Sequence, residues 1–510
     1  MHRSRLTLDP DFRIGAVDER LFGSFVEHMG RSVYTGVFEE GHPTADEDGF
    51  RTDVLELTRE LGVTTVRYPG GNFVSNHRWE DGVGPLADRP TTLDLAWRSL
   101  EPNTFGLNEF MAWARKAGVE PMMAVNLGTR GTSDALNLLE YANHSSGTRY
   151  AELRREHGVA DPHDILLWCL GNEMDGPWQM GHKTAEEYGR LAAETARAMK
   201  RLDPRLSLVA CGSSHADMPT FGAWEATVLE HTYEHVDLIS AHAYYEPLDG
   251  DVDSFLASGS GMDDMIRSVV AAADHVGSKV RSKRRINLSF DEWNVWYQKG
   301  WGGEDSLEWT ERPRLIEDVY DVTDAVVVGS LLMTLLRNAD RVSVACQAQL
   351  ANVIAPIMTR PGGPAWRQTI FHPFALTARH AKGEVLRTEP ETPRTETGRY
   401  GEVPLLWTTA TLDRKNGEIS LFAVNRDRTR PMTLETSLKA FPGVRLVEHL
   451  VLADDDPTAV NTEAEPDRVA PRTVVPTRPT DGVLTTELAP SSWNLLRLAY
   501  DSPATGRGPA

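Results

Sequence analysis

One pattern repeats along the chain between about residues 20 and 350. In each unit a short apolar or β-branched run ends in polar residues, and an amphipathic segment follows it. The strand-like runs lie at residues 21–28, 64–72, 121–129, 165–173, 206–214, 236–245, 286–293 and 342–349. Strands that are apolar on both faces are typical of a parallel sheet covered by helices on both sides. Eight such units in roughly 330 residues favour a closed (β/α)8 barrel of the α/β class.

Helical patterns separate these runs. We predict helices at residues 53–63, 106–118, 184–202, 261–280 and 324–340. Thr184 and Glu187 form a capping box at a helix start, and Gly118 is a C-cap signal. Residues 29–52 and the Ser-Gly-Ser-Gly run at 258–261 are predicted as loops. An open doubly wound sheet is the alternative to a TIM barrel, but no GxGxxG follows the first strand to mark a nucleotide site.

After about residue 375 the hydrophobic pattern changes to period two. Residues 405–412 and 418–425 flank Asn416-Gly417, which is typical of an antiparallel hairpin, and further short strands follow. We therefore predict a C-terminal all-β sandwich that also takes in the N-terminal strand. The expected domains are N-terminal strands 1–18, barrel 19–375, sandwich 376–500 and a disordered tail 501–510.

Composition limits the partners and the compartment. A net charge of −21 argues against a nucleic-acid or anionic-membrane surface, because both need clustered Lys and Arg. The N-terminus has no apolar signal region and no apolar stretch reaches membrane-spanning length. Cys169, Cys211 and Cys346 lie far apart, which predicts buried thiols in a reducing compartment. We expect a cytoplasmic protein with no partner nucleic acid or membrane.

Two glutamates occupy positions that suggest catalysis. Glu173 closes the fourth strand-like run and Glu292 closes the seventh, so in a barrel of eight they face each other across the mouth. Hydrolysis of a glycosidic bond requires such a pair, one to protonate the departing oxygen and one to meet the developing positive charge. A separation of roughly 5–5.5 Å would indicate double displacement. The plainer interpretation is a solvated loop residue or a buried ion pair.

Other residues near these strand ends have two interpretations each. Arg67 either binds substrate or braces the mouth by pairing with Glu27 or Glu292. His242 and Tyr244 lie two apart on one strand and therefore face the same way; a single His is more often structural than catalytic. There is no HExxH motif and no carboxylate–His cluster at ligand spacing, and His231 and His235 are interpreted as a surface helical pair. We predict no metal and no cofactor.

The chain resembles a known enzyme family over several long stretches. Gly171-Asn172-Glu173 and Glu292 match the signature of the retaining barrel glycosidases. Six stretches in the right order resemble the α-L-arabinofuranosidases of glycoside hydrolase family 51, and SSWNLLRL at 491–498 extends the likeness. The six are residues 22–39, 66–85, 95–110, 167–188 (LWCLGNEMDGPWQMGHKTAEEY), 290–297 (FDEWNVWY) and 348–357 (AQLANVIAPI).

The resemblance implies roles for individual residues. Glu173 would be the acid/base and Glu292 the nucleophile, while Asn172 would bond the sugar 2-hydroxyl. The glycone would be surrounded by Glu27, Arg67, Asn72, Tyr244 and Gln349. His242 is added to the substrate-binding candidates because it faces the same way as Tyr244. Trp296, and Trp97 nearer the leaving group, would offer apolar faces to sugar C–H groups. The chain departs from the common family pattern at Asn76-His77, where members often carry Gly before an aromatic residue.

The function expected from the sequence is that of a retaining exo-α-L-arabinofuranosidase. Its substrates would be terminal arabinofuranosyl residues of arabinan- or arabinoxylan-derived oligosaccharides. Rival interpretations keep the barrel but change the sugar, giving a xylosidase, a glucanase or a galactofuranosidase, or they remove catalysis and leave a carbohydrate-binding protein. The family resemblance also implies a homo-oligomer, commonly a hexamer.

Overall fold

A closed parallel barrel forms the larger part of the molecule in the computed structural model, which describes residues 1–501. The predicted disordered tail, apart from Asp501, therefore lies outside the described residues. Cys346 of the last barrel strand pairs with Gly23 of the first, which closes the sheet. In order, the barrel strands are Gly23–Phe25, Thr65–Tyr68, Glu120–Ala124, Leu167–Leu170, Ser207–Ala210, Leu238–Tyr245, Asn287–Val295 and Val342–Gln347. The predicted (β/α)8 barrel is confirmed.

Helices connect and cover these strands. They are Thr52–Leu61, Leu107–Ala117, Thr132–Asn143, Arg149–Glu156, Ala185–Leu202, Ala223–Thr232, Val252–Leu256, Ser258–Val280, Val322–Arg337 and Phe371–His380. The predicted capping box forms, since Thr184 Oγ1 accepts from the Glu187 N–H and the Glu187 carboxylate accepts from the Thr184 N–H at 3.0 Å. Gly118 ends its helix with φ 78°, and its N–H donates to the Ala114 carbonyl at 2.9 Å.

The prediction of a loop at 258–261 is wrong. These residues form the first turn of the helix Ser258–Val280. Ser258 and Gly259 are buried, and the Thr334 hydroxyl donates to the Gly259 carbonyl at 3.1 Å. Packing against the neighbouring helix thus outweighs the weak helix propensity of glycine and serine.

The C-terminal part is a sandwich of two sheets, as predicted. The smaller sheet contains His2–Thr7, Met432–Ser437 and Val483–Leu488. The larger contains Arg13–Ala16, Glu384–Leu386, Leu406–Asp413, Glu418–Asn425, Ser492–Ala499, Arg445–Leu452 and Arg472–Val474. Buried leucines from both sheets form one core, among them Leu6, Leu434, Leu421 and Leu496. The N-terminal strands therefore belong to the sandwich in space.

Three short hairpins lie outside these sheets. They are Thr92–Asp94 with Ser99–Glu101, Ile357–Thr359 with Ala365–Arg367, and Arg394–Thr397 with Gly401–Pro404. The helix Phe371–His380 crosses the boundary expected at residue 375. We propose that the barrel ends after His380, and we keep the other domain boundaries as proposals.

All three cysteines are buried free thiols. Cys169 and Cys346 belong to the apolar cluster inside the barrel. Among residues 1–501, none of the helices combines the length and the apolar character needed to span a bilayer.

The helix Val322–Arg337 joins the two parts of the molecule. It contacts barrel strands on one side and the sandwich strands Leu406–Asp413 and Ser492–Ala499 on the other. Gly329 lies against the buried Trp493, so that a β-carbon there would come within 2.2 Å of the indole. The absence of a side chain at residue 329 is therefore what lets the helix approach the sandwich so closely.

We expect Gly329→Ala to lower the free energy of unfolding by about 2 kcal/mol, because the added methyl group overpacks this junction. Chemical denaturation of the purified protein measures the change. Gly300→Ala is the matched control, since nothing lies within 4 Å of a β-carbon there. An equal stability of the Gly329 and Gly300 variants would contradict the tight junction.

Candidate active site

A cavity of about 840 Å³ opens at the carboxyl ends of the barrel strands. Both predicted catalytic glutamates line it. Eight of the residues singled out from the sequence border this cavity: Glu27, Asn72, Trp97, Glu173, Tyr244, Glu292, Trp296 and Gln349. The other three, Arg67, Asn172 and His242, are at most 2% exposed and lie directly behind the cavity wall. The structure thus brings all eleven together in two layers.

Glu173 lies on a sharp turn and not on a strand. The sequence suggested that the fourth strand runs to Glu173, but it ends at Leu170. Gly171 then takes φ 98° and Glu173 takes φ 41°. A non-glycine residue in this left-handed region is strained, and such strain is frequent at functional sites. The turn lifts the carboxyl group of Glu173 into the cavity.

Glu292 lies within its strand, which continues to Val295 and does not end at Glu292 as expected. The register against both neighbouring strands shifts beside it, between Phe290 and Trp293 on one side and at Ser240/His242 on the other. Such a bulge re-aims side chains. It accounts for the adjacent residues Asp291 and Glu292 both contacting groups inside the barrel, which strict alternation would not allow.

Two donors fix the Glu292 carboxylate. Arg67 Nη1 donates to Oε1 at 2.6 Å and the Tyr244 hydroxyl donates to Oε2 at 2.9 Å. Burial raises the pKa of Glu292, and the neighbouring charge of Glu173 adds to that rise, whereas His242 and Arg67 oppose it. Arg67 also donates to Asn172 Oδ1 at 2.7 Å. Of the two partners expected for Arg67, the structure selects Glu292.

Glu173 also contacts two groups. The Trp178 indole donates to Oε2 at 2.7 Å, and His242 Nδ1 lies 2.9 Å from Oε1. Trp178 is 43% exposed and stacks on His215 with ring centroids 6.0 Å apart. The sequence predicts Trp178 beside the acid as a group that buries it, but it does not predict the hydrogen bond from the indole to the carboxylate. The signal in the sequence for this contact is that Trp178 follows Glu173 by only five residues, within a short loop.

His242 connects the site to Asp291, which the sequence analysis missed. His242 Nε2 lies 2.8 Å from Asp291 Oδ1, so both ring nitrogens face carboxylates. Burial alone would lower the pKa of His242, but Glu292, Asp291 and Glu173 together raise it to about 10. Burial raises the pKa of Asp291, and Arg67 and His242 lower it to below its usual value. The imidazole is therefore a cation. The sequence signal for Asp291 was its position directly before Glu292 in FDEW.

The three side chains Glu173, His242 and Glu292 form one compact group. A nitrogen of His242 and one oxygen of each carboxylate lie within 4.8 Å of one another. This spacing is that of retaining glycosidases, since inverting enzymes need roughly 6.5–9.5 Å. The sequence led us to infer that there is no carboxylate–His cluster, and this inference is wrong. The three residues are far apart in the sequence but close together in the fold. A protonated imidazole has no lone pair for a metal ion, and the ion pairs account for the grouping.

The cavity wall carries one more buried carboxyl group, that of Glu27. Its Oε1 accepts from the Phe73 N–H at 2.9 Å and from the Trp97 indole at 3.0 Å, and its Oε2 accepts from Gln349 at 3.1 Å. Burial raises the pKa of Glu27 to about 8, although the Phe73 N–H opposes the rise.

Gly71 separates Glu27 from Glu292. A β-carbon at residue 71 would lie 3.1 Å from Glu292 Oε1 and 3.2 Å from Glu27 Oε2. Any other residue there would crowd both carboxyl groups. Gly71 therefore leaves the space between them free for a ligand.

Aromatic rings form the remaining surface of this end of the cavity. Trp296 packs edge-to-face against Tyr244, with centroids 5.1 Å apart. Trp97 packs in the same way against Trp301 at 6.3 Å, and Trp301 also lines the cavity. Aromatic faces and edges of this kind suit the C–H groups of a sugar.

Other sequence candidates lie away from the cavity. The Asn76 amide donates to the Leu93 carbonyl at 3.3 Å, and the His77 ring packs at a tilt against Phe73 with centroids 4.8 Å apart. Burial lowers the pKa of His77 to about 3. His231 pairs with Glu186 at 2.8 Å, whereas His235 lies beyond the helix Ala223–Thr232, so the expected helical pair does not form.

The chain is similar to known arabinofuranosidases over its whole length. Two family models match, the α-L-arabinofuranosidase 1 domain at residues 57–251 and the α-L-arabinofuranosidase C-terminal domain at 291–492. An intracellular exo-α-(1→5)-L-arabinofuranosidase of Streptomyces lividans is 62% identical over 100% of this chain and 77% of its own length. An exo-α-(1→6)-L-arabinofuranosidase of Bifidobacterium longum is 52% identical, covering 98% of each chain.

A solved structure supports the same relationship. A family 51 α-L-arabinofuranosidase from Bifidobacterium longum superposes with a TM-score of 0.94 at 47% identity. The match covers 98% of this chain and 99% of the other.

The charge of Asp291 is one of the three that raise the pKa of His242, and its share can be measured directly. In Asp291→Asn we expect the pKa of His242 to fall by about 1–3 units, since an adjacent opposite charge shifts a pKa by that amount. Proton–nitrogen NMR of the labelled imidazole reports the titration.

Ser289→Ala is the control for this measurement. It removes a hydrogen bond to Asp291, whose Oδ2 accepts from the Ser289 hydroxyl at 3.1 Å, but keeps the charge. Its His242 pKa should remain close to that of the parent. Equal shifts in both variants, or none in Asp291→Asn, would contradict this assignment.

Proposed function

Since the chain belongs to the α-L-arabinofuranosidases of glycoside hydrolase family 51, we propose that it hydrolyses terminal α-L-arabinofuranosyl residues by double displacement, with Glu173 and Glu292 as the catalytic pair. The observation that carries this proposal is the spacing of the pair. Two carboxyl groups reach one cavity with oxygens within 4.8 Å, as a covalent mechanism with retention requires.

In the first step Glu292 attacks the anomeric carbon while the bond to the leaving oxygen breaks. Glu173 gives its proton to that oxygen, and a covalent arabinosyl-enzyme forms on Glu292. Arg67 and Tyr244 hold the two oxygens of the nucleophile in place. The cations Arg67 and His242 favour its ionised form against the effect of burial.

In the second step Glu173, now a carboxylate, removes a proton from a water molecule. The oxygen of that water attacks the anomeric carbon, the bond to Glu292 breaks, and arabinose leaves with its original anomeric configuration. The Trp178 indole and His242 both contact Glu173 and thereby orient it. One residue thus acts as acid and then as base, as microscopic reversibility demands.

Recognition of the sugar is assigned to the enclosed end of the cavity. Glu27, Asn72, Tyr244 and Gln349 offer polar atoms there, and Trp296 and Trp97 offer apolar surface. Asn172 is assigned to the sugar 2-hydroxyl, and Arg67 and His242 to the support of this surface from behind. No role is proposed for a metal ion or cofactor.

The proposed substrates are arabinan- and arabinoxylan-derived oligosaccharides. The relatives named for α-(1→5) and α-(1→6) linkages are similar enough to this chain that both linkages belong in a substrate panel. The relative named intracellular supports an intracellular site of action. We further propose a homo-oligomer, with the hexamer as the form common in the family, which analytical ultracentrifugation tests.

We expect p-nitrophenyl α-L-arabinofuranoside to be hydrolysed far faster than the corresponding β-xylopyranoside, and the first-formed arabinose to be the α anomer. Proton NMR during the early turnover measures the anomer before mutarotation. Faster hydrolysis of the xylopyranoside than of the arabinofuranoside would reject the assignment of arabinose as the sugar. A β-configured first product would reject double displacement.

Substitution of the two glutamates should give different kinetics. Glu292→Ala should lower kcat by at least about 10⁴-fold with every leaving group. Glu173→Ala should slow poor leaving groups by about 10²–10⁴-fold but keep rapid glycosylation with good ones. Azide should accelerate turnover with retention only in the Glu173 variant, because there it attacks the covalent intermediate in place of water without needing a base.

The exposed Glu230 on the helix Ala223–Thr232 supplies a control of the same type, Glu230→Ala, which should leave kcat unchanged. If the Glu173 variant loses activity equally on all leaving groups and azide has no effect, Glu173 is not the acid/base.

A further inference from the structure

The cavity extends well beyond the catalytic pair. A second set of residues lines it, which we call the distal arm: His215, Ala216, Asp217, Phe221, Gly261, Asp264, Met265, Ser268, Arg399 and Tyr400. None of these residues takes part in the chemistry derived above. The distal arm lies where the barrel meets a hairpin of the C-terminal part, and such domain junctions are frequent binding sites.

Contacts place the distal arm on the leaving-group side. The indole of Trp178 donates to Glu173, and its ring stacks on His215, the first residue of the distal arm. From there the loop leads to Asp217, which pairs with Arg399 at 2.7 Å. Because Glu173 protonates the departing oxygen, the surface beyond Trp178 receives the part of the substrate that leaves.

One wall of the distal arm is a single helical stripe. Gly261, Asp264, Met265 and Ser268 are spaced i, i+3, i+4 and i+7 on the helix Ser258–Val280, so they share one face. Seven residues of α-helix span about 10 Å. The wall is therefore considerably longer than a site for one sugar requires.

A second wall is the tip of the hairpin Arg394–Thr397/Gly401–Pro404, and it is anchored. The Arg399 N–H donates to the Ser254 hydroxyl at 3.0 Å, and Arg399 also forms the ion pair with Asp217. A β-carbon at Gly261 would lie only 2.5 Å from the Tyr400 ring, so hairpin and helix are in close contact. The distal arm thus has a preformed shape, which lowers the cost of ordering a ligand.

We propose that the distal arm binds the sugar units of the leaving chain that lie beyond the one attached to the cleaved bond, so that catalytic efficiency rises with chain length. The inference rests on the proposed function. Met265, Phe221 and Tyr400 give apolar surface for sugar rings, and Ser268, Asp264 and Arg399 give hydrogen-bonding groups at the rim. This combination of apolar surface and a few polar groups is typical of carbohydrate-sized ligand sites.

The charge of the distal arm favours neutral sugars. Its cation Arg399 is already paired with Asp217, and Asp264 adds a negative charge. A uronic acid or a phosphorylated sugar would meet repulsion here. The chain bound in the distal arm is therefore an uncharged oligosaccharide, and the proposed function makes its units arabinose or xylose.

The test fills the distal arm without removing a structural contact. Ser268 is exposed and its hydroxyl bonds only within its own helix, to the Asp264 carbonyl. Ser268→Trp places a bulky ring in the distal arm. Ser278→Trp is the matched control, since it makes the same change at an exposed residue of the same helix outside the cavity.

The measurement is kcat/KM on α-(1→5)-linked arabino-oligosaccharides of two to five units, with p-nitrophenyl arabinofuranoside as the reference. In the parent and in Ser278→Trp we expect kcat/KM to rise at least fivefold from the dimer to the pentamer. In Ser268→Trp the rise should disappear, as it should in Asp264→Trp. Circular dichroism confirms that the variants are folded.

The outcomes separate the two proposals. The parent enzyme could cleave the reference and the dimer but show no rise in kcat/KM for longer chains. That result overturns the proposal for the distal arm and leaves the proposed function intact. A chain-length gain that survives in both Ser268→Trp and Asp264→Trp also overturns it. Failure to hydrolyse any arabinofuranoside, the reference included, rejects the proposed function itself.

Discussion

Five buried ionisable groups depend on one another in the centre of this barrel mouth. The acids Asp291, Glu292 and Glu173 share the cations Arg67 and His242, with three contacts of 2.6–2.9 Å. Removing one partner of a buried ion pair leaves an uncompensated charge that costs about 3–5 kcal/mol. The network therefore fixes its members strongly, and its two cations favour the ionised form of Glu292 against the effect of burial.

The barrel supplies the positions that this network needs. Arg67, His242 and Glu292 come from strands two, six and seven, and the turn after strand four adds Glu173. Two local irregularities refine the placement: the positive φ at Gly171 and Glu173, and the bulge at Asp291-Glu292. Gly71 keeps the space in front of the carboxyl groups open. Regular strands alone would not bring these side chains to one point.

Periodicity was sufficient to predict the barrel and the sandwich, because each kind of strand has its own pattern of apolar residues. Strands buried on two faces are apolar throughout, and strands buried on one face alternate between apolar and polar residues. The ends of the predicted strands pointed to Glu173 and Glu292, and the family likeness supplied most of the other nine candidate residues. Strand alternation did not point to Asp291, because it sends one of two adjacent residues outward. The bulge that brings both Asp291 and Glu292 to the inside is a tertiary effect. The exact end of strand four and the helical start at Ser258 also depend on packing. The contact of Trp178 with Glu173 depends on loop geometry that no sequence period describes.

The most direct measurement of the central claim is the identity of the residue that becomes arabinosylated. Rapid acid quenching during turnover of 2,4-dinitrophenyl α-L-arabinofuranoside, followed by proteolysis and mass spectrometry, locates the covalent intermediate. We predict a mass increase of one arabinosyl unit on the peptide that contains Glu292, mapped to that side chain by fragmentation. An adduct on Glu173 or elsewhere, or rapid turnover with no adduct at any quench time, would contradict the account.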